Sequence, residues 1–265
     1  MRDDGLEAYI PRLLLRQRAD GPRHWEADGT LVFADVSGFT RLTEKLSRNG
    51  KAGGEEIVRT ISDVFTVLLT AAADGGDVLK FSGDALLLFY DTPDHAHRAC
   101  HAALTMQRVL RVIGGVDSSR GRVHLRMCVG AHTGRFSFFL CGDDHLELYV
   151  LGPGASRTVA AEVDAEAGDV VVTPVTAGAV DGATFRGRRG SGHILRSVPA
   201  LPPISPPPTG RVDDLARHIA PPLRARLGNL EQEHRRATVC FAHFGAVDDL
   251  LTHEGADATF HRCRR

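Results

Sequence analysis

Apolar and polar positions along the chain follow two periods, and their order predicts the elements. Leu31-Val32-Phe33-Ala34 is a compact apolar run closed by Asp35, the pattern of a buried strand. Gly38 then opens a helical period through Phe39, Leu42 and Leu46, which Gly50 to Gly54 are expected to break. A longer amphipathic helix is predicted over 55–73, with Ile57, Ile61, Val64, Phe65 and Leu68 on one side. Asp74-Gly75-Gly76 turns the chain. Val78 to Phe81 and Ala85 to Tyr90 then read as a hairpin around a three-residue loop, Ser82-Gly83-Asp84. Thr92-Pro93-Asp94 signals a helix start, with the helix reaching about Ile113. A strand over Val123 to Ala131 follows, then a second hairpin, Phe136 to Leu140 and Leu146 to Leu151, around Gly142-Asp143-Asp144. A helix near 155–166 and an apolar strand, Val170 to Val172, complete the series.

This order does not alternate strand and helix as a doubly wound sheet would. It predicts an α+β fold, a ferredoxin-like antiparallel sheet with helices packed on it. Four segments are expected: a lead-in over 1–28 with an apolar patch from Ile10 to Leu15, the domain itself over 29–198, a proline-rich linker over 199–235, and a further piece over 236–265. Pro199, Pro202, Pro203, Pro206, Pro207 and Pro208 make the linker extended and semi-rigid in expectation. In the last piece, Ala237 to Gly245 can be laid against Gly29 to Ser37, with His243 where the first copy has Asp35. A strand and part of a helix cannot bury a core alone. The second copy is therefore expected to be either cut off or completed by something else.

Composition narrows the classes. The 265 residues are 43% apolar and 25% charged, with a formal net charge of −1. That excludes wholesale disorder and supplies no global basic field, so no nucleic-acid partner is expected. Nearly all the positive charge is arginine, because Lys45, Lys51 and Lys80 are the only lysines. The five cysteines lack CxxC spacing, which fits a reducing compartment rather than a disulfide framework. No signal-peptide core and no bilayer-length apolar run is present, so a cytoplasmic protein without membrane contact is expected.

The candidate chemistry begins with two carboxylates. Asp35 closes a strand directly before Ser37-Gly38-Phe39-Thr40 and a helix start, and Asp84 sits in a hairpin turn. If those strands are neighbours, both carboxylates reach one sheet edge, where they repel unless a cation lies between them. Mg²⁺ accepts a few carboxylate oxygens together with substrate phosphates and water, and two such ions serve phosphoryl chemistry. Gly38 lets a phosphate approach the backbone, and the helix turn after it offers N–H donors. The plainer alternative is a helix-capping Asp35 and an ordinary turn aspartate at Asp84. No GxxxxGK loop followed by Ser or Thr is present, and Gly152-Pro153-Gly154 does not match GxGxxG. His97, Cys100 and His101 share a helical face at a spacing that could bind zinc, but no further ligand is evident. His253-Glu254 with His261 misses the HExxH spacing.

The residues from Leu31 to Glu44 resemble the first metal-binding motif of class III nucleotidyl cyclases, and Val78 to Leu86 resemble the second. The resemblance spans about 28–198 and is closest to the soluble adenylyl cyclase-like branch, whose chains carry two cyclase domains in tandem. It implies that Asp35, Asp84 and the Val36 carbonyl bind two Mg²⁺ or Mn²⁺ ions. It also implies that Ser37, Gly38, Phe39, Thr40 and Gly83 hold the triphosphate of ATP or, less readily, GTP. The implied reaction yields a 3′,5′-cyclic nucleotide and pyrophosphate.

The pattern has a gap. In the family a complementary domain supplies an Asn and an Arg, one turn apart, on the helix after a Val-x-Gly strand end. The matching end is Val150-Leu151-Gly152, and the matching helix positions here hold Ser156 and Ala160, with Arg157 at another angle. Tyr149 stands where an Asp or Thr usually reads the base. The resemblance thus implies a metal-binding half that needs a second cyclase domain, in cis or in trans. Lys80 and Arg157 would line a pseudo-symmetric regulatory anion site, associated in the soluble branch with bicarbonate. The competing expectation is a non-catalytic cyclase-like module that regulates or dimerises with a signalling partner. Asp35 and Asp84 favour the enzyme; the missing Asn and Arg favour the module.

Overall fold

The computed structural model describes residues 6–16, 21–204, 215–224, 238, 240 and 245–263. A 3₁₀ turn at Leu6–Tyr9 and α1 (Arg12–Leu15) lead into β1 (His24–Ser37), α2 (Phe39–Ser47) and α3 (Gly50–Ala72). Then come β2 (Gly76–Ser82), β3 (Ala85–Tyr90), α4 (His95–Ile113), β4 (Arg126–Cys141) and β5 (Glu147–Leu151). The domain closes with α5 (Pro153–Asp164), β6 (Val170–Val172), α6 (Pro174–Gly178), β7 (Thr184–Arg189) and β8 (Gly192–Ser197). Beyond it lie a second 3₁₀ turn (Leu215–His218), α7 (Pro221–Arg224) and α8 (Val247–Cys263), which breaks at Gly255.

One eight-stranded sheet carries the fold in the order β2-β3-β1-β4-β6-β8-β7, with β5 paired to the far end of β4. Its spine is the β1–β4 pair, in register from His24 opposite Phe139 to Ser37 opposite Arg126. Alternation along β1 splits its side chains between two faces. Val32, Ala34 and Val36 meet Leu86, Leu88, Val129 and the apolar sides of α2, α3 and α4 in the main core. Leu31 faces the other way, into a second core with Phe89, Phe136, Phe138, Leu148 and the three leucines of α1. There Phe89 meets Phe136 and Phe138 edge-on, at centroid distances of 5.6 and 5.0 Å.

The α+β architecture is as expected, but the sheet is mixed: β6 runs parallel to β4, with Val129 opposite Val170. The cause is α5, which passes from Phe136 at Gly154 down to Gly130 at Glu162 before the chain reverses into β6. Residues 126–141 form one strand rather than two, because Thr133 and Gly134 stay in register with Thr30 and Gly29. The loop of the first hairpin has two residues, Gly83 and Asp84, since Ser82 already pairs with Ala85. Gly50 to Gly54 do not break the helix; they begin α3. A Cβ on Gly53 would fall on the Leu46 carbonyl, so glycine here lets α2 and α3 cross closely. The helix α4 starts at His95, after Asp94 in left-handed conformation, rather than at Pro93.

The β7–β8 hairpin was not foreseen: four arginines interrupt its alternation and few apolar residues mark it. Inside the proline-rich stretch, Leu215 and Ile219 are buried in the second core, and Leu146 N–H donates to the Arg217 carbonyl at 2.8 Å. Residues 215–224 are thus short helical turns docked on the domain, while 205–214 and 225–235 lie outside the described residues. The suggested repeat at Ala237 to Gly245 lies almost wholly outside the described residues.

Candidate active site

The site forms where β1 ends, β3 begins and α2 starts. Antiparallel pairing sets Asp35 opposite Ala85, so Asp84 in the turn comes beside it. Val36 N–H donates to the Asp84 carbonyl at 3.0 Å and pins that turn to the strand. Both aspartates are half-buried, and neither has a cationic partner among the described residues. Burial and, secondly, the Asp84 carboxylate raise the Asp35 pKa above the usual carboxylate range. Two carboxylates are thus held close enough to disfavour joint ionisation, with no cationic side chain paired to them among the described residues.

Gly38 caps α2 with φ +112°, a conformation that favours glycine, and a Cβ there would lie 2.8 Å from the His124 carbonyl. No side chain caps this end. The first intrahelical bond is Leu42 N–H to the Gly38 carbonyl, which leaves the N–H groups of Phe39, Thr40 and Arg41 as helix-end donors. A cleft of about 490 Å³ opens there, lined by Phe39, Thr40, Thr43, Gly83 and Asp84 among others. The structure therefore brings Asp84, Gly83, Phe39 and Thr40 to one cavity, while Asp35 and Gly38 are not among its lining residues. Phe39's ring is buried in the main core, so this residue can offer only backbone. Ser37 is exposed, and its hydroxyl donates to the Arg126 carbonyl at 3.3 Å.

Two nearby residues escaped sequence reasoning. Glu162 on α5 has its pKa raised, first by burial and then by Asp35, and Cys128, opposite Asp35 on β4, is raised in the same way with Glu162 contributing. No motif joins either to Asp35. Only the close seat of α5 on Gly130 reveals them. Among the described residues no three His, Cys, Asp or Glu side chains converge as a closed metal cage. Two carboxylates and a strand-end carbonyl suit instead a hard cation that takes its other ligands from phosphate and water.

Lys80 sits elsewhere on the sheet. It forms an ion pair with Glu147, and its ammonium lies 4.8 Å from the centre of the Tyr149 ring. Arg157 is exposed on α5, and its charge helps to depress the His132 pKa. Ser156 and Ala160 are also exposed on α5. Cys100 is fully buried, which pushes its thiol pKa up to about 12, while His97 bonds the Pro199 carbonyl. The three residues at zinc-like spacing therefore do not present one accessible face.

Residues 26–194 match the family model of the adenylate and guanylate cyclase catalytic domain. The chain belongs to this family. It is 28% identical over 177 residues to human adenylate cyclase type 10, covering 64% of this chain and 11% of that protein. The rabbit form is 29% identical over 153 residues, 56% of this chain and 9% of that protein. The chain thus matches about a tenth of the length of these relatives. Among solved structures, the adenylyl cyclase CyaB from P. aeruginosa superposes with a TM-score of 0.54 at 20% identity, covering 69% of this chain and all of that one. The guanylyl cyclase domain of the RhoGC fusion protein from Blastocladiella emersonii gives 0.53 at 18% identity, covering 66% and 99%. These superpositions establish the cyclase-domain fold. Among the described residues no helix is long and apolar enough to cross a membrane.

Proposed function

We propose that this chain is the metal-binding half of a nucleotide cyclase that converts ATP, and less readily GTP, to the 3′,5′-cyclic nucleotide and pyrophosphate. The supporting observation is the pairing of Asp35 with Ala85, which brings Asp35 beside Asp84, a lining residue of the cleft at the open N-terminal turn of α2. Asp35, the Val36 carbonyl and Asp84 would hold Mg²⁺ or Mn²⁺, which when bound supply charge neutralisation and Lewis acidity at the α-phosphate. The chain's own part is placement. The free N–H groups of Phe39 to Arg41 and the positive end of the α2 dipole receive phosphate oxygens. Gly83 leaves the turn beside Asp84 unobstructed. The ribose 3′-hydroxyl attacks the α-phosphorus, the bond from that phosphorus to the bridging oxygen breaks with its electron pair leaving on pyrophosphate, and the hydroxyl proton passes to water.

Ser156 carries only a neutral hydroxyl and Ala160 no polar group, so neither replaces the amide and guanidinium that would meet the charge building on the transferring phosphoryl group. That part falls to a complementary cyclase domain. The ATP preference rests on the similarity to adenylate cyclase type 10. The domain limits (29–198, a linker over 199–235, a second unit from 236) and a cytoplasmic setting belong to this proposal, as does an anion site at Lys80 and Arg157. The test is cyclic-nucleotide release by the purified chain with Mn²⁺ and ATP or GTP, alone and with a complete complementary domain. Little release alone and turnover on addition are expected. Vigorous turnover alone would show that Arg157 or another group does the complementary domain's work.

A further inference from the structure

A second cleft lies across the sheet from Asp35 and Asp84. It is about 440 Å³ in volume and is bounded by the C-terminal half of α4, the approach to β6 and the β7–β8 hairpin. Four arginines line it, Arg108, Arg111, Arg186 and Arg196, and no aspartate or glutamate does. Leu104 and Leu195 form an apolar wall between them. The cleft lies against the β6–β8–β7 end of the sheet, whereas the carboxylate pair sits at β1 and β3, with β4 between them.

The arginines are not equally engaged. Arg186 is bound to the buried Asp169, which Arg189 also contacts at 3.3 Å, while Glu166 pairs with Arg189. The nearby carboxylates are thus already matched by guanidinium groups. Among the described residues Arg108 bonds only within its own helix, with Nε 3.3 Å from the Leu104 carbonyl and Nη2 3.4 Å from Thr105 Oγ1. Arg111 and Arg196 are exposed and have no ionic partner among the described residues. In a chain of net charge −1, this is a concentrated positive field inside a concavity of small-molecule size. Guanidinium forks match phosphate oxygens in pairs, which a scattered ammonium charge does not.

We infer that this cleft binds a small polyphosphate-bearing molecule, with Arg111 and Arg196 gripping the phosphates, Arg108 turning in from its helix, and an organic body lying on Leu104 and Leu195. A nucleoside diphosphate has this chemistry. Such a site is separate from the proposed catalytic one and needs no metal.

The experiment is titration calorimetry of the full chain in EDTA, which silences a metal-dependent site. The probes are inorganic tripolyphosphate and ADP. Both are expected to bind with dissociation constants below about 1 mM and with affinity that falls steeply with salt. ADP should match or exceed tripolyphosphate per phosphate, through the apolar wall. The double variant Arg111→Ala/Arg196→Ala should lose at least about tenfold in affinity, and Asp35→Asn should lose none. The pair Arg111→Lys/Arg196→Lys keeps the charge and removes the forks, so it should lose several-fold while melting like the parent. Absence of binding in EDTA, equal binding by the alanine double variant, or loss in Asp35→Asn would each overturn the assignment.

Discussion

Asp77 and Asp35 are both aspartates on the β2–β3–β1 side of the sheet, and burial raises the pKa of both. Their surroundings differ in kind. Asp77 is buried and receives the Arg12 N–H at 2.9 Å and the Leu13 N–H at 2.6 Å, with the Arg12 side chain alongside. It completes the first turn of α1 and fixes the lead-in segment to the edge strand. Asp35 receives no such donors and faces a second carboxylate instead. One arrangement consumes a charge in holding the fold, while the other leaves charge unspent. Unspent like charges at a cavity mouth are what a site for cationic phosphate chemistry requires.

The largest expected effect follows from that contrast. Asp35→Ala or Asp84→Ala should lower complemented cyclase turnover by about two to three orders of magnitude, as when a principal electrostatic contribution at a transferring phosphoryl group is lost. The same variants should lose most of the rise in melting temperature that Mn²⁺ and nucleotide give the parent. Retained turnover in both would assign the chemistry elsewhere. Asp77→Ala should do the opposite: keep the nucleotide response and lower stability by about 2 kcal/mol, because one buried and one part-buried backbone donor are left unmatched. Urea unfolding measures the loss, and faster amide exchange across Arg12–Leu15 would locate it. An unchanged midpoint would mean that α1 is held by its leucines alone.

The sequence carried the contrast unevenly. Asp35 and Asp84 stood out through the resemblance of Leu31 to Glu44 and Val78 to Leu86 to the cyclase motifs, because spacing alone also allows a capping and a turn aspartate. The helices on the main core were legible from their period, and the α+β class from the order of elements. Asp77 gave no signal, since its donors come from a lead-in segment whose docking no local pattern encodes. Glu162 was hidden for the same reason: its proximity depends on where α5 crosses Gly130. The parallel β4–β6 pair and the β7–β8 hairpin were missed because three-residue and arginine-interrupted strands take their structure from neighbours rather than from their own period.

A buried base extends the comparison. His132 packs beneath α5 with Nδ1 2.8 Å from Thr173 Oγ1, and burial, aided by Arg157, pushes its pKa down to about 4. The unfolded chain protonates this residue near its ordinary value of about 6.5, whereas the folded chain resists. Its contribution to stability is therefore complete above about pH 6.5 and is lost as pH falls toward 4. His95, lowered by burial, acts in the same direction. His132→Gln should flatten the decline in urea midpoint between pH 6.5 and 4.5. Parallel declines in parent and variant would remove His132 as its source.

The smallest effect is the most direct reading of the carboxylate pair. If Asp35 and Asp84 repel in the metal-free chain, neutralising one relieves the other. Asp84→Asn preserves size and keeps the backbone carbonyl that accepts from Val36 N–H, so the turn should persist. Both carboxylates are partly open to water, which screens the repulsion and keeps the gain small, at most about 1 kcal/mol or a few degrees in melting temperature. The gain should appear only without divalent metal and only above the raised pKa of Asp35, because a protonated Asp35 carries no charge to relieve. Below that pH the difference should vanish, and with Mn²⁺ and nucleotide present the order should reverse, because only the parent keeps both carboxylates for the metal. A variant that is less stable than the parent at pH 7 in EDTA would mean that the Asp84 side chain serves the turn as an ordinary hydrogen-bonding residue. The two carboxylates would then not be held in opposition, and the site would resemble Asp77 after all.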